Sequence, residues 1–154
     1  MTTFRERFAH VLAVWFGCGL VPKMPGTIGT LGALPLYFAI RGWGPLAVLA
    51  AGVIVTAVGI WASGVVARAL EAKDPQIICI DEVAGVLLAL AAAPPTWPGV
   101  IAAVVLFRVF DQTKPWPARR LEHLPHGFGV VLDDVAAGAW AAALVGAARA
   151  LGWL

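Results

Sequence analysis

FRVFDQTKPWPARRLEHLPHGFGVVLDDVAAG, residues 107–138, joins two apolar segments of the chain through a loop dense in ionisable and turn-forming residues. Acidic residues mark its two ends: Asp111 follows the first apolar segment, and the pair Asp133–Asp134 precedes the second. The basic residues between them are Lys114, Arg119 and Arg120. Because charge is scarce in the rest of the chain, this concentration indicates a functional role for the stretch.

The composition predicts an integral membrane protein. The chain has 154 residues, of which 60% are hydrophobic and only 13% are charged, whereas a soluble domain carries about 25% charged residues. Its length suits one domain, residues 1–154. The net charge of +2 and the lack of a basic and aromatic surface pattern exclude nucleic acid as a partner. No obligate protein partner is expected, and no secretory signal peptide is recognisable.

Apolar stretches predict an all-α fold, a polytopic membrane bundle with about five hydrophobic helices. They cover residues 31–40, 46–67, 83–93, 99–107 and 135–148. Before them, Phe4, Phe8 and Trp15 recur at helical spacing, which predicts an N-terminal amphipathic helix lying at the membrane interface. Residues 22–29 contain two prolines and two glycines and are expected to be irregular.

The charges orient these segments. Five crossings place residues 1–30, 68–82 and 108–134 on one side, with all nine Asp and Glu and with every Lys and Arg except Arg41 and Arg149. The positive-inside rule makes this side cytoplasmic. Several segments are short for a hydrocarbon core of about 30 Å, so the first, third and fourth (31–40, 83–93 and 99–107) are expected to be only partly submerged.

Two segments of the chain resemble each other. Residues 78–85 and 130–138 each contain an apolar triplet, an acidic pair and the start of a small-residue helix. The acids could serve only as charges that favour a helix N-terminus. One acid per helix is enough for that purpose, however, and acids at an apolar boundary are costly and usually functional.

The candidate chemistry is a divalent-metal site beside a phosphate site. Carboxylates on the cytoplasmic side are hard oxygen ligands, for which Mg²⁺ is the expected metal; they are Asp81, Glu82, Asp111, Asp133 and Asp134. Basic residues on the same side would offset phosphate charge; they are Lys23, Arg108, Lys114 and Arg119. The segment 25–30, PGTIGT, would cradle a phosphate with backbone N–H groups or would simply be a membrane-entry loop.

Other phosphate-transfer classes lack their motifs. No Cys-x₅-Arg follows Cys18 or Cys79, and neither DxDxT nor the CDP-alcohol transferase pattern occurs. The histidines have no accompanying nucleophile motif. A small cation transporter remains an alternative, although it would need acids near the bilayer midplane and a path to both sides. A phosphatase for another lipid phosphate, such as phosphatidic acid, is a second alternative.

Four blocks closely resemble the phosphatidylglycerophosphatase A family, in the same order. They are KMPGTIGTLGALPL (23–36), DPQIICIDEVAG (74–85), FRVFDQTKPWPARRLE (107–122) and HGFGVVLDDVAAG (126–138). The resemblance implies a multi-pass, Mg²⁺-dependent lipid phosphatase of the bacterial inner membrane. Such an enzyme converts the phospholipid phosphatidylglycerophosphate into phosphatidylglycerol. The chain departs from the family at Gln112, where an aliphatic residue is usual, and at His126, where a glycine pair is common.

The resulting hypothesis assigns three roles. The metal ligands are Asp81, Glu82, Asp133 and Asp134. The catalytic carboxylates are Asp111, Asp81 and Asp134, with Asp111 the first choice to orient or deprotonate water; a covalent aspartyl intermediate stays open. The substrate-binding residues are Lys23, Gly26, Thr27, Thr30, Arg108, Lys114 and Arg119.

Overall fold

The computed structural model describes residues 3–73 and 75–154, which contain helices and no strand. The prediction of an all-α fold is therefore confirmed. The helices are α1 (Phe4–Ala13), α2 (Pro25–Gly32), α3 (Leu34–Ile40), α4 (Pro45–Ala69), α5 (Ile80–Ala92), α6 (Trp97–Thr113), α7 (Ala118–Leu121) and α8 (Gly127–Ala150). Short 3-10 segments cover Trp15–Leu20 and Arg41–Trp43.

Helix α5 is the centre of the bundle, and it lies parallel to α8 at very short range. A Cβ atom on Gly138 would overlap the carbonyl oxygen of Gly85 and lie 2.9 Å from its Cα atom. A Cβ atom on Gly85 would lie 2.5 Å from the carbonyl oxygen of Asp134. Small residues at such positions let helix backbones touch. The two glycines therefore bring the acidic pairs of α5 and α8 to the same end of the bundle.

Helices α4 and α6 run antiparallel to this pair. Along α4, Gly52 faces Leu88, Gly59 faces Ile80, and a Cβ on Gly64 would lie 3.4 Å from the Gly127 nitrogen. On α6, the buried Phe107 packs against Gly85. Helices α2, α5 and α8 begin at one end of the bundle, and α6 ends there; we call this the polar end. The opposite end is called the far end.

The number of membrane crossings is not confirmed at five. Among the described residues, two helices are long and apolar enough to cross a membrane: α4 with 25 residues and α8 with 24. Helices α3, α5 and α6 have 7, 13 and 17 residues. At 1.5 Å per residue, α5 is only about 20 Å long, which is less than the hydrocarbon thickness of about 30 Å.

The expectation of an irregular segment over residues 22–29 is wrong from Pro25 onward, because α2 starts there. Pro25 occupies the first turn, where its missing N–H costs nothing. The Thr30 hydroxyl donates to the Gly26 carbonyl (2.9 Å) within the same helix. Segment 25–30 is therefore the helix itself rather than a loop before it.

The N-terminal amphipathic helix is present as α1, although it is shorter than expected. Thr3 and Glu6 form a reciprocal capping box at its start, which satisfies N–H groups left free at a helix N-terminus. Phe4 and Phe8 are exposed, and the Phe8 ring lies 6.2 Å from that of Trp61 on α4. The helix ends at Ala13, so the prediction that Trp15 shares its face is wrong.

Candidate active site

A cavity of about 530 Å³ opens at the polar end, between α2, α5, α6 and α8. Polar and charged side chains dominate its wall, whereas the bundle below it is apolar. The lining residues are Met24, Pro25, Gly26, Thr27, Gln76, Ile78, Asp81, Glu82, Arg108, Asp111, Gln112, Lys114, Val130, Asp133 and Asp134. The structure thus brings together all five carboxylates that the sequence singled out.

Three of these carboxylates form a tight cluster, which we call the acid triad: Asp81, Glu82 and Asp134. Each can offer an oxygen atom within 4.8 Å of the others'. Asp81 and Asp134 are buried, and neither forms an ion pair with a basic residue in the described part of the chain. Burial, together with the charges of Glu82 and Asp134, raises the pKa of Asp81 well above its ordinary value. Such a cluster needs a cation to stay ionised.

Glu82 supplies a direct sign that a ligand fits here. Its Oε2 atom is buried and accepts no hydrogen bond from the described residues, while its Oε1 atom lies 4.0 Å from Arg108 Nη1. Buried polar atoms without partners are rare and need an explanation. Hard carboxylate oxygens are the ligands that Mg²⁺ takes in proteins, so the residues present fit the metal implied by the resemblance.

Gly26 allows this arrangement by its lack of a side chain. A Cβ atom there would overlap Glu82 Oε1 and lie 3.3 Å from Arg108 Nη1. The first turn of α2 can therefore sit directly against the acid triad, because only glycine leaves room for such an approach. Thr27, the next residue, also lines the cavity.

Arg108 and Asp111 form an ion pair on the last turns of α6. Arg108 Nη1 lies 2.8 Å from Asp111 Oδ2, although its N–H is not aligned for a hydrogen bond. The Gln112 amide donates to the same Asp111 oxygen (3.1 Å). Asp111 is buried, and Arg108 is partly exposed to the cavity. Arg108 therefore lies between the Asp111 and Glu82 carboxylates.

Lys114 binds Asp133 rather than the acid triad. Its Nζ atom lies 2.7 Å from Asp133 Oδ2 and 3.4 Å from Glu122 Oε2. Burial lowers the pKa of Lys114, but the hydrogen bond to Asp133 and the charges of Asp133 and Glu122 outweigh it, so the pKa is raised. Lys114 ends α6 in a left-handed conformation (φ +43°), which turns its side chain back towards α8.

Three predicted substrate-binding residues lie outside the cavity wall. Lys23 and Arg119 are exposed and do not line the cavity. Thr30 is buried, and its hydroxyl is bound to the Gly26 carbonyl. The structure therefore places Gly26, Thr27, Arg108 and Lys114 at the cavity, and places Lys23, Thr30 and Arg119 around it.

Sequence reasoning missed three polar residues of the site. Gln76 and Gln112 line the cavity, and Glu122 is the second carboxylate beside Lys114. Gln112 could have been noticed because it follows Asp111 directly. Neither Gln76 nor Glu122 carries such a signal, since both reach the site through loops whose course depends on tertiary packing.

The cavity combines buried carboxylates with two basic side chains, Arg108 and Lys114, at one end of an apolar helical bundle. This arrangement is the one expected of an enzyme that acts on phosphate esters at a membrane. Residues 11–149 match the family described as Phosphatidylglycerophosphatase A. The chain belongs to this family and is therefore a phosphoric monoester hydrolase.

Three relatives illustrate the family. Phosphatidylglycerophosphatase A of Escherichia coli strain K12 is 34% identical over 140 residues, which cover 88% of this chain and 80% of that protein. The protein of the same name from Haemophilus influenzae is 36% identical, over 88% of this chain and 85% of its own. A Bacteroides thetaiotaomicron protein, named provisionally as a phosphatidylinositol-3-phosphatase, is 40% identical over 94% of this chain and 96% of its own. No solved structure matches the chain.

Proposed function

We propose that the chain hydrolyses the terminal phosphomonoester of phosphatidylglycerophosphate and releases phosphatidylglycerol and phosphate. The observation that carries this proposal is the acid triad facing Arg108 and Lys114 across one cavity, in a member of the phosphatidylglycerophosphatase A family. Carboxylates beside fixed cations suit phosphoryl transfer, because that reaction depends mainly on positioning and on charge stabilisation.

The proposed Mg²⁺ ligands are Asp81, Glu82 and Asp134. Asp133, which the sequence analysis included among the metal ligands, is not proposed as a ligand here, because its Oδ2 atom lies 2.7 Å from Lys114 Nζ. The acid triad would hold a divalent cation, which when bound would supply Lewis-acid polarisation of a phosphate oxygen. Glu82 offers the clearest ligand atom, because its Oε2 atom has no hydrogen-bond partner in the part of the chain that the structure describes.

The other residues bind the phosphate and hold the water. Arg108 and Lys114 offer N–H donors to the phosphate oxygens, and both are already oriented by carboxylates, Asp111 and Asp133. Fixed donors reduce the entropy lost on binding. Asp111, held by Arg108 and Gln112, orients a water molecule and accepts its proton. Gly26 and Thr27 close the cavity on the α2 side.

The proposed setting is a bacterial inner membrane, crossed at least by α4 and α8. The polar end would face the cytoplasm, because it holds nearly all the basic residues. Helices α5 and α6, shorter than the membrane is thick, would let the cavity sit slightly below the membrane surface. A lipid phosphate could then enter from the headgroup layer.

A different lipid phosphate is the second candidate substrate. The relative named as a phosphatidylinositol-3-phosphatase supports it, since every such substrate presents a phosphomonoester to the same cavity. The transporter alternative is disfavoured, because the acids lie at one end of the bundle and the far end carries Arg41 and Arg149 instead.

A substrate panel separates these candidates. Purified protein would be given phosphatidylglycerophosphate, phosphatidic acid and phosphatidylinositol 3-phosphate in matched micelles, with Mg²⁺ or with EDTA. We expect phosphate release to be highest from phosphatidylglycerophosphate and to stop with EDTA. A higher kcat/KM for another lipid would reassign the substrate, and release unaffected by EDTA would remove the metal from the proposal.

A further inference from the structure

A second cavity, of about 210 Å³, lies at the far end of the bundle. It is separated from the candidate active site by the length of α5, since it is lined by the last turn of that helix. Its wall combines two arginines and a tyrosine with an apolar floor. Among the lining residues are Tyr37, Arg41, Gly44, Val48, Leu90 and Arg149.

The two arginines have no acidic partner. Neither Arg41 nor Arg149 forms an ion pair within the described part of the chain. The Arg41 guanidinium lies over the Phe38 ring, 4.8 Å from its centroid, a contact that restrains it while leaving its N–H donors free. Both arginines are exposed at the mouth of the cavity. Two positive charges there, with no carboxylate among the lining residues, favour an anionic ligand.

Tyr37 points independently to a ligand. The residue is only 2% exposed and lines the cavity, yet its hydroxyl forms no hydrogen bond among those of the described residues. The hydroxyl oxygen itself is not among the fully buried unpartnered atoms of the described residues, so it faces the open part of the cavity and can reach a ligand there. The N-terminus of α4 also borders the cavity at Gly44, which places the positive end of the helix dipole beside the cavity.

Exposed tryptophans around this cavity indicate its position relative to the membrane surface. Trp43, Trp97 and Trp153 are 79%, 68% and 77% exposed and belong to the far end, and the Trp97 ring lies 5.5 Å from that of Phe38. Exposed tryptophans are typical of the membrane–water interface. In the proposed membrane placement, the cavity therefore opens at headgroup depth, which favours a lipid over a free anion.

We propose that this far-end cavity binds the phosphate group of an anionic phospholipid in the leaflet opposite the candidate active site. Arg41 and Arg149 supply the positive charge and N–H donors, and the Tyr37 hydroxyl supplies a further donor. Val48 and Leu90 form the apolar wall beside the start of an acyl chain. The inference rests on the proposed membrane placement and not on the proposed catalysis.

Native mass spectrometry of the purified full-length chain in neutral detergent with EDTA tests this site. Phosphatidylglycerol, phosphatidylcholine and inorganic phosphate would each be titrated against the natural chain and the double variant Arg41→Gln/Arg149→Gln. We expect the natural chain to bind phosphatidylglycerol more tightly than phosphatidylcholine, and the double variant to lose about tenfold in that affinity, since two charge-assisted hydrogen bonds are removed. Because the double variant keeps all residues of the active-site cavity, a difference in phosphatidylglycerol affinity between it and the natural chain reports on binding at the far-end cavity.

Two further variants sharpen the result. Arg120→Gln removes an exposed arginine from α7 at the polar end, and we expect it to bind like the natural chain. Tyr37→Phe keeps the buried ring and should lower the affinity by a smaller factor. Unfolding temperatures measured without lipid check that each variant folds, and phosphate release measured in parallel reports separately on the proposed catalysis.

Two outcomes would overturn the proposal. One is unchanged phosphatidylglycerol affinity in the folded double variant, which would leave the arginines as charges that favour the ends of α3 and α8. The other is arginine-dependent binding of inorganic phosphate without arginine-dependent binding of the lipid, which would make the ligand a free anion.

Discussion

Gly138 of α8 lies against Gly85 of α5 so closely that a Cβ atom on Gly138 would overlap the Gly85 carbonyl oxygen. This contact lies four residues beyond Asp134 on one helix and four residues beyond Asp81 on the other, about one turn in each case. The glycine pair therefore fixes the distance between the two aspartates. Helix packing deep in the bundle controls the geometry of the acid triad.

The variant Gly138→Ala tests this control. We expect it to lower the free energy of unfolding by about 1–3 kcal/mol, as overpacking does, and to reduce phosphate release because α8 must move away from α5. Unfolding temperature in detergent and the initial rate would both be measured. Gly146→Ala is the matched control on the same helix, since its Cβ would meet only Ala92 Cβ at 3.8 Å. Equal effects of the two variants would contradict the account.

Gly26→Ala should act on the metal rather than on the fold. Its Cβ atom would overlap Glu82 Oε1, and the carboxylate at the end of that side chain would have to shift. We expect the Mg²⁺ concentration for half-maximal activity to rise about tenfold or more, as when a supporting contact of a metal ligand is lost. A Mg²⁺ titration of activity measures this effect. Gly42→Ala is the control, because a Cβ atom there meets nothing within 4 Å among the described residues, and its Mg²⁺ titration should not change. An unchanged Mg²⁺ midpoint in Gly26→Ala would argue against Glu82 as a metal ligand.

The neighbouring acids of α8 should have separable roles. Asp134→Asn is expected to raise the Mg²⁺ requirement, whereas Asp133→Asn is expected to raise KM and leave the Mg²⁺ midpoint within about twofold of the natural chain. The reason is that Asp133 holds Lys114 at 2.7 Å, while Asp134 belongs to the acid triad. Activity measured over a grid of Mg²⁺ and lipid concentrations separates the effects. A large shift of the Mg²⁺ midpoint in Asp133→Asn would show that Asp133 is a metal ligand together with the acid triad.

The pKa of Lys114 gives a prediction for alkaline pH. Because its folded pKa is raised above an unfolded value of about 10.4, the stabilisation from its ion pairs is fully present below the unfolded pKa. It is lost only as pH rises through the folded pKa. Lys114 should therefore stay charged between about pH 7 and pH 9, and KM should not rise over this range through its deprotonation. An alkaline rise in KM that disappears in Lys114→Gln would show that the ammonium loses its proton there.

Much of the site could be predicted from the sequence, because scarce charge in an apolar chain must collect where water reaches. The repeated pattern identifies the acidic pairs of α5 and α8, and the charge of Arg108, Asp111 and Lys114 on the predicted cytoplasmic side identifies these three residues. The sequence could not show which carboxylate binds Lys114. Asp133 and Asp134 are chemically identical neighbours, and the rotation of α8 against α5 decides which one faces the lysine.

The start of α2 and the length of α5 could not be predicted fully from the sequence. Pro25, Gly26 and Gly29 suggested a loop, yet they lie in α2 because Pro25 starts the helix and the glycines pack against Glu82 and Cys79. Tertiary packing here outweighs weak helix propensity. The apolar stretch 83–93, which is short for a membrane crossing, corresponds to α5; this helix has only 13 residues and packs against α4 and α8.

The most direct test of the central claim is Mg²⁺-dependent phosphate release from phosphatidylglycerophosphate by the natural chain and by Asp134→Asn. Removing one carboxylate of the acid triad keeps the size of the side chain and withdraws one ligand charge. We expect the natural chain to release phosphate only with Mg²⁺, and the variant to fold but to lose at least about 100-fold in rate at the same Mg²⁺ concentration. A folded Asp134→Asn protein with near-natural Mg²⁺-dependent release would contradict the account.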